Sequence, residues 1–467
     1  MKKLITFIFI FGAISAVFSQ EVRGTWNGIL KVQGMQLSLV FHVNKTENGF
    51  SSTMDSPDQK AFGIPVTKTN FENSKLTIAI ANAGIEYEGV IGTDGIIIGT
   101  FKQSGQSFPM NLSKEKVEKE IIKRPQEPQK PYSYYTEEVI FENKLAKINL
   151  AGTLSLPAKE GVFPAVILIT GSGAQNRDEE LLGHKPFLVI ADYLTKNGIA
   201  VLRFDDRGIA MSKGEFTLAT TLDFATDVEA ALQYLQKRKE IDQKKIGLIG
   251  HSEGGIIAPM VANKSKNISF IILLAGTGIP GDELLLLQQE LIGRASGISE
   301  DDLKKSKITN TEVFGIVKNA TNSDQMKKDI TNYITKSIKS DPESKIPDGI
   351  SESEFISMQV SQITNPWMQF FIKYNPALAL EKVNCPVLAL NGDKDLQVPS
   401  KVNLEAINKA LIKGGNKKVT IKELPNLNHI FQECKTGLPE EYSEIEQTIS
   451  PSALTEILNW IQIQTKK

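Results

Sequence analysis

The sequence predicts an α/β fold: a doubly wound, mostly parallel sheet with a helical cap insertion, preceded by a small all-β domain that is either a barrel or a sandwich. Three observations predict it. From Tyr134 to the C-terminus, short apolar runs alternate with helix-like patterns. Between about Pro280 and Leu378 that alternation stops and only helical patterning continues. Before Ser113 the apolar positions recur with period two, and no stretch carries a helical period.

The totals agree with an ordinary globular chain of more than one domain. It has 467 residues, 41% of them apolar and 23% charged. Lys and Arg total 53 against 54 Asp and Glu, a formal charge of −1, so no broad basic field favours nucleic acid or another polyanion. Residues 1–19 read as a signal peptide: Lys2 and Lys3, then an uncharged run from Leu4 to Phe18, then small residues that place cleavage after Ser19. The run is too short for a spanning helix, and the mature protein is expected to be exported, periplasmic or secreted.

In chain order, residues 20–113 form the all-β domain. Gly28–Val32, Met35–Phe41, Lys75–Ile80 and Ile85–Ile91 alternate apolar and polar positions, and turns fall at Glu47-Asn48-Gly49, Thr93-Asp94-Gly95 and Ser104-Gly105. Trp26 reads as a plug for that core rather than a ligand platform. The charged, proline-spaced stretch 114–132 reads as a semi-rigid linker.

Residues 133–467 form the second domain, with its cap at about 280–378. Thr136–Phe141 and Asn149–Leu156 read as an antiparallel pair, and Phe163–Thr170 as a strand buried on both faces. Pro186–Lys196 reads as a helix, Ile199–Phe204 as a strand, and Thr220 opens a long amphipathic helix. Ile246–Ile249, Ile268–Ala275, Cys385–Leu390 and Val419–Leu424 supply further strands. Leu404–Ile412 and Ser452–Ile463 supply helices. The cap run Leu284–Ile292 is read as helix packing in preference to an acyl pocket. Cys385 and Cys434 fall at opposite ends of a strand spanning roughly 20 Å. A disulfide needs Cα atoms within about 7 Å, so two buried, unpaired thiols are expected.

The chemistry centres on Gly250-His251-Ser252-Glu253-Gly254, a G-x-S-x-G between an apolar strand and a helical pattern. A serine at the apex of such a turn is presented to both a base and a substrate. Its outer glycines avoid the clash that a side chain would create in so sharp a reversal. A serine needs a base, and the chain has only four histidines: His42, His184, His251 and His429. His42 lies in the other domain, and His251 sits within the turn and points elsewhere. His184 remains an alternative, while His429, on a loop after the last strand, is the expected base. Asn391-Gly392-Asp393-Lys394-Asp395 offers two carboxylates to orient it, and spacing does not separate Asp393 from Asp395. The backbone N–H groups of Glu253 and of Ser172, in the glycine-rich turn Gly171-Ser172-Gly173-Ala174, are the expected oxyanion donors. No metal or cofactor is called for.

From Tyr134 on, Ile169–Gly173, Gly250–Gly255, Gly392–Asp395 and Asn428-His429 resemble α/β-hydrolases of the serine-aminopeptidase-like group. With the β-domain in front, the chain is similar to EstD-like exported carboxylesterases, and Gly24–Gly28 resembles the opening of lipocalin-like barrels. The resemblance implies a Ser252–Asp395–His429 triad, selecting Asp395 over Asp393, and an esterase for small, short-chain esters. Where the family has D-x-R-G-x-G-x-S, this chain has Asp205–Ser212 with Ala210 for the second glycine, so a differently shaped loop is expected there. A peptidase, thioesterase or acyltransferase could use the same scaffold. A non-catalytic binder of cell-envelope material, with the β-domain as reader, is the reading from a different class.

Overall fold

The computed structural model describes residues 22–32, 35–103, 106–120, 123–340, 346 and 350–466. The expected signal peptide and the turn at Ser104-Gly105 lie outside them. The chain forms two compact units, one centred on Gln36–Glu120 and the other on Ile121–Ile346 and Ser351–Lys467.

The first unit holds two sheets. One runs β1 (Gly24–Val32), β2 (Met35–Thr46), β3 (Gly49–Ser56) and β4 (Ala61–Pro65); the other runs β5 (Lys68–Glu72), β6 (Lys75–Ile80), β7 (Ile85–Ile91), β8 (Ile97–Gln103) and β9 (Gln106–Pro109). Alternation drives them together. Leu76, Ile78 and Ile80 of β6 meet Phe41 and Val43 of β2 in one shared core. The two sheets are linked at one margin, where Ser113 is bridged to Asn27 and Leu112 to Ile97. Trp26 is fully buried in that core, and its indole N–H donates to the Val22 carbonyl at 2.6 Å.

The second unit is built on an eight-stranded sheet. Its strands are β10 (Tyr135–Asn143), β11 (Ile148–Leu156), β12 (Phe163–Ile169), β13 (Ala200–Phe204), β14 (Ile241–His251), β15 (Phe270–Leu274), β16 (Val387–Gly392) and β17 (Val419–Leu424). They lie in the order β10-β11-β13-β12-β14-β15-β16-β17, and only the β10–β11 and β11–β13 pairings are antiparallel. Continuous apolar runs suit the parallel strands because helices cover both faces. α1 (Pro186–Lys196) packs on one face, joined there by the C-terminal helix. α2 (Thr221–Leu235) and α3 (Gly254–Lys264) pack on the other. Thr220 and Asp223 form a capping box that starts α2.

The cap comprises α4 (Gly281–Ala295), α5 (Glu300–Asn319), α6 (Ser323–Ser340), α7 (Glu352–Thr364) and α8 (Pro366–Lys373). It has a core of its own around Phe314, Val317, Ile330 and Val360. After it come α9 (Ala377–Leu380), α10 (Ser400–Lys413) and α11 (Pro451–Thr465), the helix that joins α1.

Two expectations need adjustment. Cys385 and Cys434 are unpaired, but each is half-buried rather than buried. The latter part of the stretch read as a linker is docked on the second unit. There Arg124 donates to the carbonyls of Ile445 at 2.6 Å and Ser443 at 2.7 Å, and Gln126 binds both backbone groups of Ile449.

Because β12, β14, β16 and β17 are parallel, the segments following them emerge at one edge of the sheet. Residues far apart in sequence therefore meet there.

Candidate active site

β14 delivers Ser252 at a left-handed corner, with φ of 52°. A non-glycine residue at such φ carries strain of order 1–3 kcal/mol, which the surroundings must hold in place. They do so through the Ser252 N–H, which donates to the Leu274 carbonyl of β15 at 2.9 Å, and through α3, which starts immediately afterwards. A Cβ on Gly250 would strike the Gly254 carbonyl, and one on Gly254 would strike the Ile169 carbonyl. The glycines flanking the serine are thus required by close approach of neighbouring backbone.

His429 follows β17. Its Nδ1 lies 2.8 Å from Asp395 Oδ2, and the other carboxylate oxygen of Asp395 accepts from the N–H groups of Gln397 and Val398, each at 2.8 Å. Asp395 is only 3% exposed, so these three bonds define its geometry. Asp393 instead accepts from the Asn426 N–H at 2.6 Å, on an exposed turn. The choice that spacing left open is therefore separated by the strand-end turn, which aims one aspartate at the histidine and the other at the neighbouring loop.

Ser252, His429 and Ser172 line one cavity of about 210 Å³, together with Glu253 and the cap residues Leu284, Leu285, Trp367 and Phe371. No hydrogen bond joins Ser252 Oγ to His429 Nε2 in this structure, and Nε2 has no partner among the described residues. Such contacts commonly tighten only when substrate is bound. The cap run read as packing serves two uses: Leu285 and Leu286 pack against the cap core, while Leu284 and Leu285 also reach the cavity wall.

Ser172 and Glu253, the residues of the expected oxyanion donors, both line this cavity. The loop after β12 comes so close that a Cβ on Gly171 would lie 3.2 Å from Ser252 Cβ. Asp206 braces this loop by accepting from Thr170 Oγ1 at 2.7 Å and the Gln175 N–H at 3.0 Å. Burial pushes the Asp206 carboxyl up to about 8. The N–H groups of Ser172 and Glu253 have no acceptor among the described residues, which leaves them available to an oxyanion.

The other histidines are engaged elsewhere. His42 lies in the first unit and pairs with Asp55 at 3.0 Å. His184 is fully buried against Thr448 and the Tyr442 carbonyl, and burial, helped by the Arg124 charge, drives its pKa down to about 4. It does not line the cavity. His251 is buried within the turn, with Nδ1 2.9 Å from Glu179 Oε1 and Nε2 3.0 Å from the His429 carbonyl.

Three wall residues escaped sequence reasoning. Glu179 is one charge among several in a polar loop, Gln397 follows the acid, and Trp367 opens α8. Trp367 donates to Glu253 Oε1 at 2.8 Å, and the Thr221 hydroxyl donates to the same oxygen at 2.7 Å. Burial pushes Glu253 toward its neutral form, although these two donors pull the other way. Within Asp205–Ser212, Ala210 takes φ of 46°, a glycine-type conformation. The loop is held by Arg177 gripping Asp205 and by Arg207 gripping Asp227. Among the described residues no cluster of three or more side chains could hold a metal ion, and no helix is long and apolar enough to cross a membrane.

The chain is similar to a known family and to several known proteins. The family described as "Serine aminopeptidase, S33" matches residues 186–433, a span that includes Ser252, Asp395 and His429. Esterase EstD of Thermotoga maritima is 25% identical over 332 residues, covering 70% of this chain and 69% of that protein. An uncharacterized 31.7 kDa protein from the traX-finO intergenic region of Escherichia coli is 25% identical over 261 residues, covering 55% of this chain and 80% of its own length. Among solved structures, the α/β hydrolase GrgF from Penicillium sp. sh18 is 16% identical, with TM-score 0.44 over 71% of this chain and all of that one. The family match takes in more than half of the chain, which therefore belongs to the S33 serine aminopeptidase family of α/β-hydrolases.

Proposed function

We propose that this protein is an exported serine esterase acting on small carboxylic esters with short acyl chains. The observation that carries the reading is the shared cavity. There His429, held from behind by Asp395, lines one small space together with Ser252, Glu253 and Ser172.

In the proposed reaction, Ser252 Oγ attacks the ester carbonyl carbon and its proton passes to His429 Nε2. The carbonyl oxygen becomes an oxyanion bound by the N–H groups of Glu253 and Ser172. Asp395 holds His429 with Nε2 toward the serine and stabilises the imidazolium. The tetrahedral centre collapses, His429 protonates the departing alkoxide, and an acyl-Ser252 ester remains. Water then attacks that ester while giving a proton to His429. A second collapse releases the acid and returns the proton to Ser252 Oγ.

The acyl side is inferred from the cavity. Its volume, about 210 Å³, is below the range of roughly 300–1,000 Å³ usual for drug-sized ligands. Leu284, Leu285, Trp367 and Phe371 give it apolar walls suited to a few carbons. Similarity to Esterase EstD supports the ester reading, and membership of the serine aminopeptidase family raises the aminopeptidase alternative. Two features weigh against the latter. Glu179 and Glu253, the carboxyls on the cavity wall, are engaged by protein donors, and burial favours neutral Glu253. An α-amine would find a poor counter-ion there. Export is inferred from residues 1–19 alone.

The test is hydrolysis of p-nitrophenyl acetate, p-nitrophenyl butyrate and aminoacyl anilides by the wild type and Ser252→Ala. Wild-type activity on the esters, lowered in the variant by at least about 10³-fold, is expected. Equal activity in both proteins would remove Ser252 from its role. Preference for the anilides would favour the peptidase, and inactivity of both proteins on every substrate would favour a cell-envelope binding protein.

A further inference from the structure

The elbow histidine presents an arrangement that the proposed reaction does not use. His251 is 8% exposed, and each of its ring nitrogens faces an acceptor: Nδ1 the Glu179 carboxylate and Nε2 the His429 carbonyl. A neutral imidazole has one N–H and can satisfy only one of them. The imidazolium satisfies both. The same Glu179 oxygen also accepts the Gly171 N–H at 2.7 Å. One side-chain pair therefore ties together the loop carrying the Ser172 donor, the strand end carrying Ser252 and the loop carrying His429.

We propose that Glu179 and a doubly protonated His251 form a buried ionic clamp that positions the oxyanion loop and the His429 loop around Ser252. Both are positioning residues, since they act through Gly171 and through the backbone of His429. The proposal rests on the Ser252–His429 reading for its catalytic meaning, but the charge state of the clamp does not depend on it.

The surroundings support the charged form. Burial by itself lowers the affinity of His251 for its second proton, but the charge and hydrogen bond of Glu179 outweigh it and leave the pKa raised. The His429 carbonyl and the Asp395 charge add to that effect. The titratable groups around the ring are Glu179 from the loop after β12, Asp395 from the loop after β16 and His429 from the loop after β17. The ring of His429 lies 4.9 Å away and that of Phe431 6.5 Å away, centroid to centroid. Ile190, Leu274 and Ile457 line the space beside the pair, so little water screens it. Because the folded protein raises this pKa, the clamp is complete below the ordinary histidine range and is lost as pH rises through the raised value. Deprotonation removes one of the two N–H donors and releases either the His429 carbonyl or Glu179.

Heteronuclear NMR of the histidine ring nitrogens in the full-length protein tests the charge state without substrate. Four histidines keep the spectrum assignable, with His251→Gln identifying the signals. Two ring N–H groups on His251 at neutral pH are expected, titrating only at more alkaline pH. A single N–H, with the proton on Glu179 instead, would overturn the proposal. Kinetics test the positioning role. Glu179→Gln should lower kcat about 10- to 100-fold with KM little changed. It should also move the alkaline loss of activity to lower pH, because the ring loses its counter-ion. A drop in stability with that alkaline limb unmoved would assign the pair a purely structural role and sink the clamp. If Glu179→Gln fails to fold, agreement between the wild-type ring titration and the wild-type alkaline limb decides the same question. Failure of ester hydrolysis altogether would remove the proposed function while leaving the NMR result standing.

Discussion

Two histidine–carboxylate pairs stand side by side at the elbow: His429 with Asp395 and His251 with Glu179. Their contacts are similar, at 2.8 and 2.9 Å, and both histidines are buried. They differ at the second ring nitrogen. His429 Nε2 has no partner among the described residues, in a ring that lines the cavity with Ser252. His251 Nε2 is bound to a backbone carbonyl. A base needs one nitrogen held and the other free, whereas a clamp needs both held. The contrast teaches that a carboxylate partner alone does not mark a histidine as a candidate base; the placement of its second nitrogen, toward the cavity or onto a backbone carbonyl, separates the two.

The strongest way to break this contrast is to alter the pair assigned to proton transfer. Asp395→Asn should reduce ester turnover on the order of 10⁴-fold, by removing the charge that supports the imidazolium and by favouring the wrong tautomer. Asp393→Asn, on its exposed turn, should stay within a few-fold in the same steady-state assay. The reverse ranking would mean that His429 takes its orientation from elsewhere. This effect should exceed that of Glu179→Gln, since a positioning residue acts at one remove.

A third histidine sharpens the comparison. His184 has hydrogen-bond partners but no carboxylate, and its pKa of about 4 keeps it neutral at ordinary pH. His184→Gln should destabilise the fold by about 1–3 kcal/mol, the cost of disturbing a buried hydrogen bond, as read from denaturant unfolding. The pH profile of turnover should not move. If it does, the charge near Ser252 is not governed by His251 alone.

The smallest effect is expected at Ala210, which lies outside both pairs and serves as a control on strand-end loops. Its φ of 46° suits glycine, so Ala210→Gly relieves strain but loosens the unfolded chain. Thermal unfolding should change by no more than about 1 kcal/mol, with turnover unaltered. A large loss of activity would show that this loop, and not only the clamp, shapes the site. The alanine adopts the glycine-type conformation, so the difference expected from its substitution is one of strain.

Much of this was legible in one dimension. The order of strands and helices in the second unit follows from local periodicity, because a strand buried on both faces must be apolar throughout and a packed helix must repeat every three to four residues. The elbow was legible because close backbone approach there tolerates only glycine at Gly250 and Gly254. His429 emerged because histidines are scarce, a property of composition that no folding can change. Two sites resisted. For the run Leu284–Ile292 the sequence favours packing over an acyl pocket, since its helical face cannot be divided between cap core and cavity without knowing what stands opposite. Asp393 and Asp395 were separated by resemblance and not by spacing, because a two-residue step in a turn has no predictable direction.

The sequence by itself determined the architecture of the second unit, the serine corner and a short list of partners, all of which depend on neighbouring residues or on counting. Only the tertiary structure decided which carboxylate meets which histidine. Glu179 reaches His251 across 72 positions, and Trp367 reaches Glu253 across 114. Those distances close because parallel strands gather their ends at one edge of the sheet. Whether a histidine there is a base or a clamp depends on its second nitrogen, and what lies beside that nitrogen is a fact of three-dimensional packing.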